Sequence, residues 1–389
     1  METKMKNWTM NFPVPVEFGA GCVVKLGQYA AVYKKALVVT GRRAMKESGV
    51  TDRICGLLKA AGTTAEVYDR ILPDPNYEEI EEAAALAKRF GAQAVVGLGG
   101  GSVMDAAKAV AVAATHPGPI MDYRGGGART ITSATLPILA VSATSGTGSH
   151  VGRVAVLSDR KQKIKRAFFS DCMYPEAAFC DAEILRTMPP EVTASTGFDA
   201  FAHALEGFLS TSDNPMGKLC AREAMRIIFQ TLPQVLARGD DLNLRDRMAW
   251  ADTLAGISLA TNTVVIPHVI GMVLGGRYGI SHGRSIACVL GSCLRHSRPA
   301  AAGKLAEVAR VLGCEDHLDE AALADRAIAL IEEFLNRIGM AQSPKEYGVP
   351  EGDFQSIAQE VIAVFSARVQ SDPVPTDADG LVKILKRSK

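Results

Sequence analysis

The chain has 389 residues, 48% hydrophobic and 22% charged, which is the profile of a globular protein large enough for two cores. A formal net charge of +1 provides no long-range field for nucleic acid or an anionic membrane, so neither is expected as a partner. The eight cysteines (Cys22, Cys55, Cys172, Cys180, Cys220, Cys288, Cys293 and Cys314) form no C-x-x-C pair. They suggest neither a zinc knuckle nor a disulfide framework and fit a reduced cytoplasm. The opening METKMKNWTMNFPVPVEFG has no apolar core suited to a signal peptide, and AVVGLGGG and AAKAVAVAA are too short and broken to span a membrane.

In chain order, KALVVTG (35–41) predicts a strand, VTDRICGLLKAAG (50–62) a helix, TAEVYDRI (64–71) a strand and NYEEIEEAAALAKRFG (76–91) a helix. AQAVVGLGGG (92–101) predicts the next strand, VMDAAKAVAVAA (103–114) a helix and LPILAVSAT (136–144) a further strand. Strands spaced by helices of this length imply parallel βαβ units with helices on both faces. RVAVLSD (153–159) and KIKRAFFSD (163–171) read as a hairpin joined by a charged turn. From Thr193 onward nearly everything reads as helix, and Pro189-Pro190 marks the boundary. The expected organisation is an α/β nucleotide-type domain over 1–188 and an all-helical domain over 189–389, with a cleft between them.

GLGGGSVMDAAK (97–108) falls where a strand passes into a helix. Glycines there let the backbone approach a phosphate, the helix start offers free N–H groups, and Ser102 stands where it can cap the helix. Three successive glycines favour pyrophosphate binding over a plain tight turn, although the G-x-G-x-x-G fingerprint is absent. SATSGTGSH (142–150) follows the next strand and brings Thr144, Thr147 and Ser149 to the same C-terminal sheet edge, where ligands of open α/β sheets bind.

TGFDAFAHALEG (196–207) places Asp199 and His203 one helical turn apart, on one face. IPHVIGMVLGGRYGISHGR (266–284) adds His268 in an apolar stretch and His282 after a glycine-rich turn. A lone histidine on an apolar face is more often a hydrogen-bonded core residue, and an Asp/His pair is often structural. Together, one carboxylate and three imidazoles make an O/N donor set suited to Fe(II) or Zn(II), whose chemistry is Lewis-acid polarisation of an oxygen.

GGGSVMDAAK, SGTGS, GFDAFAHALEGFLS and HVIGMVLGGRYGISHG resemble, in order and spacing, the signatures of the iron-containing (group III) alcohol dehydrogenase family. The resemblance runs from VEFGAG to SDPVPTDADGLVKIL. It implies a Rossmann-like dinucleotide-binding domain, a helical metal-binding domain, a metal between them and at least a dimer. The implied reaction is that of an NAD(P)-linked alcohol dehydrogenase or aldehyde reductase. Carried over by residue, the metal ligands are Asp199, His203, His268 and His282. The implied cofactor contacts are Gly99, Gly100, Gly101, Ser102 and Asp105 in the first loop, Thr144, Thr147 and Ser149 in the second, and Lys165 beyond the hairpin.

The chain departs from that pattern at several places. NAD-using members commonly carry Asp where Gly41 stands, and Gly41 with Arg42 and Arg43 favours NADP over NAD. Met272 stands where a second histidine usually relays the alcohol proton, and a thioether cannot carry one. His150, in place of the usual Glu, is a candidate for that task. The loop start Ser142-Ala143-Thr144 replaces PTT and drops one hydroxyl contact. Arg153, Arg277 and Arg368 stand where the family usually has small or neutral side chains, with Arg284 a fourth. Their convergence on segments bordering the site suggests a short-chain substrate bearing carboxylate, sulfonate or phosphonate. Two alternatives are a dehydroquinate-synthase-like lyase, against which Asp with three His argues, and a non-catalytic nucleotide- or metal-binding relative.

Overall fold

The β-branched runs of the first half assemble into a six-stranded, all-parallel sheet in the computed structural model, which describes residues 7–162, 164–315 and 317–388. The strands are β1 (Val16–Phe18), β2 (Lys35–Gly41), β3 (Thr64–Ile71), β4 (Ala94–Gly99), β5 (Ile138–Ser142) and, after the hairpin, β8 (Ala177–Cys180). They lie in the order β1-β8-β5-β4-β2-β3. The hairpin itself pairs β6 (Val154–Asp159) antiparallel to β7 (Ile164–Phe169). Lys163, the first residue of the expected second hairpin strand, lies outside the described residues.

Side-chain alternation along β2 shows how the layers form. Leu37 and Val39 pack on one face with α4 (Tyr77–Phe90) and α5 (Gly101–Ala113). Ala36 and Val38 pack on the other with α1 (Leu26–Ala30), α2 (Ala44–Glu47) and α3 (Val50–Ala60). Both faces are covered, so β2, β4 and β5 carry near-continuous apolar runs. From β2 the chain goes to β3 on one side and then to β4 on the other, which places the topological switch at the C-terminal ends of β2 and β4. The register aligns Thr40 with Leu98, Gly41 with Ile71 and Gly99 with Ser142. Four turns therefore issue from one edge, after β2, β3, β4 and β5.

Among the described residues, a short α6 (Ala182–Leu185) precedes eight helices. These are α7 (Pro190–Leu209), α8 (Pro215–Ala237), α9 (Leu242–Thr261), α10 (Ile266–Tyr278), α11 (His282–Val311), α12 (Glu320–Arg337), α13 (Phe354–Val369) and α14 (Ala378–Arg387). Side-chain caps from Asn214, Asp319 and Asp377 start α8, α12 and α14. One core cluster joins α10, α11, α13 and α14. Among the described residues, the sheet-bearing unit takes Phe12–Pro189 and Gly239–Ala249; the helical unit takes Pro190–Arg238, residues 250–388 and residues 7–11. The division is thus interleaved and not a single cut at residue 188. Among the described residues no single helix is long and apolar enough to cross a membrane.

Candidate metal centre and nucleotide-binding edge

Three helices of the helical unit bring four side chains together. Asp199 and His203 project from the middle of α7, His268 from the first turn of α10 and His282 from the first residue of α11. Measured from Asp199 Oδ1, the Nε2 atoms lie at 3.8 Å (His203), 3.5 Å (His268) and 3.7 Å (His282). Donor atoms of Asp199, His268 and His282 all lie within 4.8 Å of one another. A tetrahedral ion with ligands at about 2.0–2.2 Å sets them about 3.3–3.6 Å apart, so small shifts close this group on one centre. Asp199 Oδ1 and His268 Nε2 are buried and make no hydrogen bond among the described residues. Buried polar atoms of that kind call for an ion. One carboxylate and three imidazoles fit Fe(II) or Zn(II) and supply too few oxygens for magnesium or calcium.

A carboxylate that sequence reasoning missed holds this set in place. Glu206, 1% exposed, accepts from His268 Nδ1 at 2.5 Å through Oε1. Its Oε2 accepts from the backbone N–H of Val265 at 2.8 Å and of His268 at 3.4 Å, which caps α10 from α7. A bond on Nδ1 fixes the tautomer and aims Nε2 at the metal position. Burial alone would lower the His268 imidazole, but Glu206 and Asp199 outweigh it and hold it up at about 9. Burial would likewise raise the Asp199 carboxyl, and the three histidines hold it well below the usual carboxylate range. The signal for Glu206 was present: it lies seven residues after Asp199, on the same face of an alanine-rich helix.

Gly283 lets α11 reach α7. A Cβ at that position would collide with the Ser195 carbonyl oxygen of α7, one turn before Asp199. The glycine after His282 is therefore a packing requirement of the ligand set.

In the sheet-bearing unit, the glycine turn joins β4 to α5 with no side-chain cap on the helix. Gly100 is the N-cap residue and Gly101 already helical, so Ser102 does not cap α5 as expected. Its Oγ accepts from Asp74 N–H at 3.2 Å instead. The uncapped helix start leaves amides for an anion. A Cβ on Gly100 would come within 2.8 Å of Thr144 Cγ2, and one on Gly101 would collide with Thr147. These glycines let the two loops interlock at the sheet edge. Thr144 Oγ1 and Ser145 Oγ are buried there without a partner among the described residues, which fits a site completed by a ligand.

Asp105 and Ser149 are turned inward. Asp105 accepts from Ser149 Oγ at 2.7 Å and from Val156 N–H at 2.8 Å. Lys108, 1% exposed, donates to Ser149 O at 2.7 Å, Ser149 Oγ at 2.8 Å and Val154 O at 2.9 Å. This network pins the second loop to α5, so Asp105 and Ser149 act as positioning residues for the loops. Lys165 on β7 donates to Asp74 Oδ1 at 2.6 Å.

Two comparisons by sequence agree. Residues 13–182 match the family model for iron-containing alcohol dehydrogenase, and residues 193–389 match the C-terminal model of the same family. The chain belongs to the iron-containing alcohol dehydrogenase family. Alcohol dehydrogenase 4 of Schizosaccharomyces pombe is 32% identical over 373 residues, 95% of this chain and 86% of its own. The 1,3-propanediol dehydrogenase of Klebsiella pneumoniae is 33% identical over 347 residues, 88% and 89% of the two chains. The solved structure of a sulfoacetaldehyde reductase from Bifidobacterium kashiwanohense in complex with NAD+ superposes with a TM-score of 0.89, at 28% identity and 99% coverage of both chains. The family comprises alcohol dehydrogenases that use iron and NAD(H).

Within this iron-containing alcohol dehydrogenase, two of the expected substrate arginines are already paired with carboxylates. Arg153 pairs with Asp171 at the surface. Arg277 bonds Glu360, with Nε donating at 2.6 Å, and also Ser356, which ties α10 to α13. Each is already neutralised by its own carboxylate, so neither is a clamp for a substrate anion. Arg284 donates to the neutral groups Gln342, Tyr347 and Gly339 O. Arg368, by contrast, donates to Thr263 Oγ1, in the link between α9 and α10, and has no carboxylate in ion-pair reach among the described residues.

His150 is buried, and burial, with the charge of Lys108, pushes its imidazole down to about 3.

Lys108 supports a pH prediction. Burial pushes its ammonium down to about 8 from the ordinary 10.5, against the pull of Asp105. Between those values the unfolded chain binds more protons than the folded one, so this group makes stability rise with pH across that window. Lys108→Met removes that rise and strands three acceptors, at a cost of about 2–4 kcal/mol near pH 7. Urea midpoints at pH 7 and pH 9.5 should show the gap between wild type and variant widening with pH.

Proposed function

We propose that this member of the family is an aldehyde reductase that favours NADPH and acts on a short-chain aldehyde bearing a carboxylate, sulfonate or phosphonate. It works in the cytoplasm as a homodimer or higher homo-oligomer, with iron or zinc held by Asp199, His203, His268 and His282. The bound ion supplies Lewis-acid polarisation of the substrate carbonyl oxygen, and the nicotinamide supplies the hydride. The chain's own residues bind and orient. Glu206 fixes the His268 tautomer, the open start of α5 takes the pyrophosphate, and Arg368 holds the remote anion.

Arg368 is the observation that carries the substrate class. It follows the kink in α13 at Phe365, reaches the link leading into α10, and lies close enough to Glu206 to interact with its charge. A guanidinium that is exposed, bonds the link leading into the helix of His268 and lacks a carboxylate suits an oxyanion on the substrate. The sulfoacetaldehyde reductase among the similar structures supports the same class. NADPH-linked turnover of an anionic aldehyde and of a neutral aldehyde of equal length is the test. Arg368→Met should cost the anionic aldehyde about 2–4 kcal/mol in kcat/KM and leave the neutral one nearly unchanged. Equal wild-type kcat/KM for the two aldehydes overturns the anion site.

Cofactor choice rests on Gly41-Arg42-Arg43. Both arginines are exposed and carry no ion pair among the described residues, so they remain available to a 2′-phosphate. We expect kcat/KM to favour NADPH over NADH by at least about tenfold, the scale of one charge-assisted contact. A Cβ at Gly41 meets nothing nearer than Ile71 O at 3.6 Å, so Gly41→Asp fits and should erase or reverse the preference. A wild-type preference for NADH would refute this reading.

A further inference from the structure

Between α11 and α14 the helical unit holds a cavity of about 350 Å³. The two helices meet along an apolar seam that includes Cys288 and Cys293 on one side and Ile384 and Leu385 on the other. The cavity lies beside that seam, and its lining is polar. Ser292 and His296 stand one turn apart on α11, while Asp379, Lys383 and Arg387 follow at four-residue steps along one face of α14. Ser292 is 7% exposed, and its hydroxyl has no hydrogen-bond partner among the described residues. A buried hydroxyl of that kind, set in a cavity wall, calls for a partner inside the cavity. His296 donates Nε2–H to Val374 O at 2.9 Å, since a carbonyl only accepts, and this leaves Nδ1 for a guest. Charge is sorted along α14: Asp377 and Asp379 open the helix, and Lys383 and Arg387 lie in its second half. Lys386 pairs with Glu351 at 3.6 Å. Asp379, Lys383 and Arg387 have no ion-pair partner among the described residues, although Asp379 and Lys383 stand one turn apart. The two negative and two positive charges cancel, and their separation leaves the wall dipolar.

We propose that this cavity binds a small zwitterion, with its ammonium at Asp377 and Asp379, its carboxylate or sulfonate at Lys383 and Arg387, and Ser292 bonding from the opposite wall. A guest with both charges gives each charge of the lining an opposite partner, whereas a lone anion or cation meets like charge at one end. Four residues of helix advance about 6 Å, a span bridged by an ω-amino acid with about three methylenes. Ser292 lies ten residues after His282, about 15 Å along α11, so this site is separate from the metal centre. Calorimetric titration of the full chain with glycine, γ-aminobutyrate and ε-aminocaproate tests it, with butyrate and butylamine as the two half-ligands. We expect γ-aminobutyrate to bind most tightly, with Kd of about 1 mM or below, and each half-ligand at least about tenfold more weakly. Lys383→Met and Asp379→Asn should each raise that Kd about 5–20-fold, and Ser292→Ala by a smaller factor. Lys383 and Asp379 are exposed, so melting temperature and dehydrogenase turnover without the guest should stay at wild-type values in their variants. A half-ligand binding as tightly as γ-aminobutyrate, or an unchanged Kd in Lys383→Met or Asp379→Asn, overturns the proposal. So does the absence of binding by all three zwitterions up to about 20 mM.

Discussion

His282→Ala is expected to lower bound metal from about one ion per chain to below about 0.1 and to abolish turnover, since a three-donor remnant holds iron or zinc far less tightly. The side chain of His282 is 35% exposed, so its removal leaves little of the core unsupported. His268→Ala should lose metal equally, but it also strands the buried Glu206 carboxylate and lowers stability. His296→Ala is the control: that imidazole bonds Val374 O at 2.9 Å, outside the ligand set, and its loss should leave metal content intact. Elemental analysis of the four proteins decides the matter. Equal metal in wild type and the His268 and His282 variants would remove the ligand assignment.

Gly283→Ala should disable the same centre without altering a ligand. The added methyl must displace either the Ser195 carbonyl oxygen or the start of α11. Overpacking of this kind costs about 1–3 kcal/mol, and a shift of even half an ångström at His282 weakens metal binding about 10–100-fold. Gly56→Ala provides the contrast. It lies in α3 with nothing within 4 Å of the new atom, so it should be neutral or stabilising by up to about 1 kcal/mol. Chelator competition on Gly283→Ala, with thermal melts of both variants, tests the opposite signs. Wild-type metal affinity in Gly283→Ala would show that α7 and α11 can yield there at no cost to the ligand set.

The central strands were legible because burial on both faces forces apolar runs at β2, β4 and β5. β1 and β8 were not: one has three residues, and the other, Ala-Ala-Phe-Cys, has no β-branched residue. The four ligands were legible through the i, i+4 pair and motif order. Glu206 shares the Asp199 face, but its role was not legible, because its partner lies 62 residues away and a shared face does not mark a carboxylate as the cap of another helix. The same limit explains Arg153 and Arg277. A guanidinium reads identically in sequence whether it faces a substrate or an aspartate such as Asp171, and only tertiary structure separates the two. Lys108 was overlooked within a quoted motif, since lysine in a helix ordinarily reads as a solvated side chain.

The Glu206 cap gives the metal centre a selectivity beyond its donor list. A site on loops could admit extra water or carbonyl ligands and relax towards six or more oxygens. Here His268 belongs to a helix start bound to α7 by a buried carboxylate, and His282 to one seated against α7 at Gly283. That frame holds three imidazole nitrogens and one carboxylate oxygen in place, a donor set that serves iron or zinc and serves the oxygen-seeking magnesium and calcium poorly. In a fluid where those ions outnumber free iron or zinc by orders of magnitude, the frame stays open to the scarce metal, and abundance alone does not decide which ion loads.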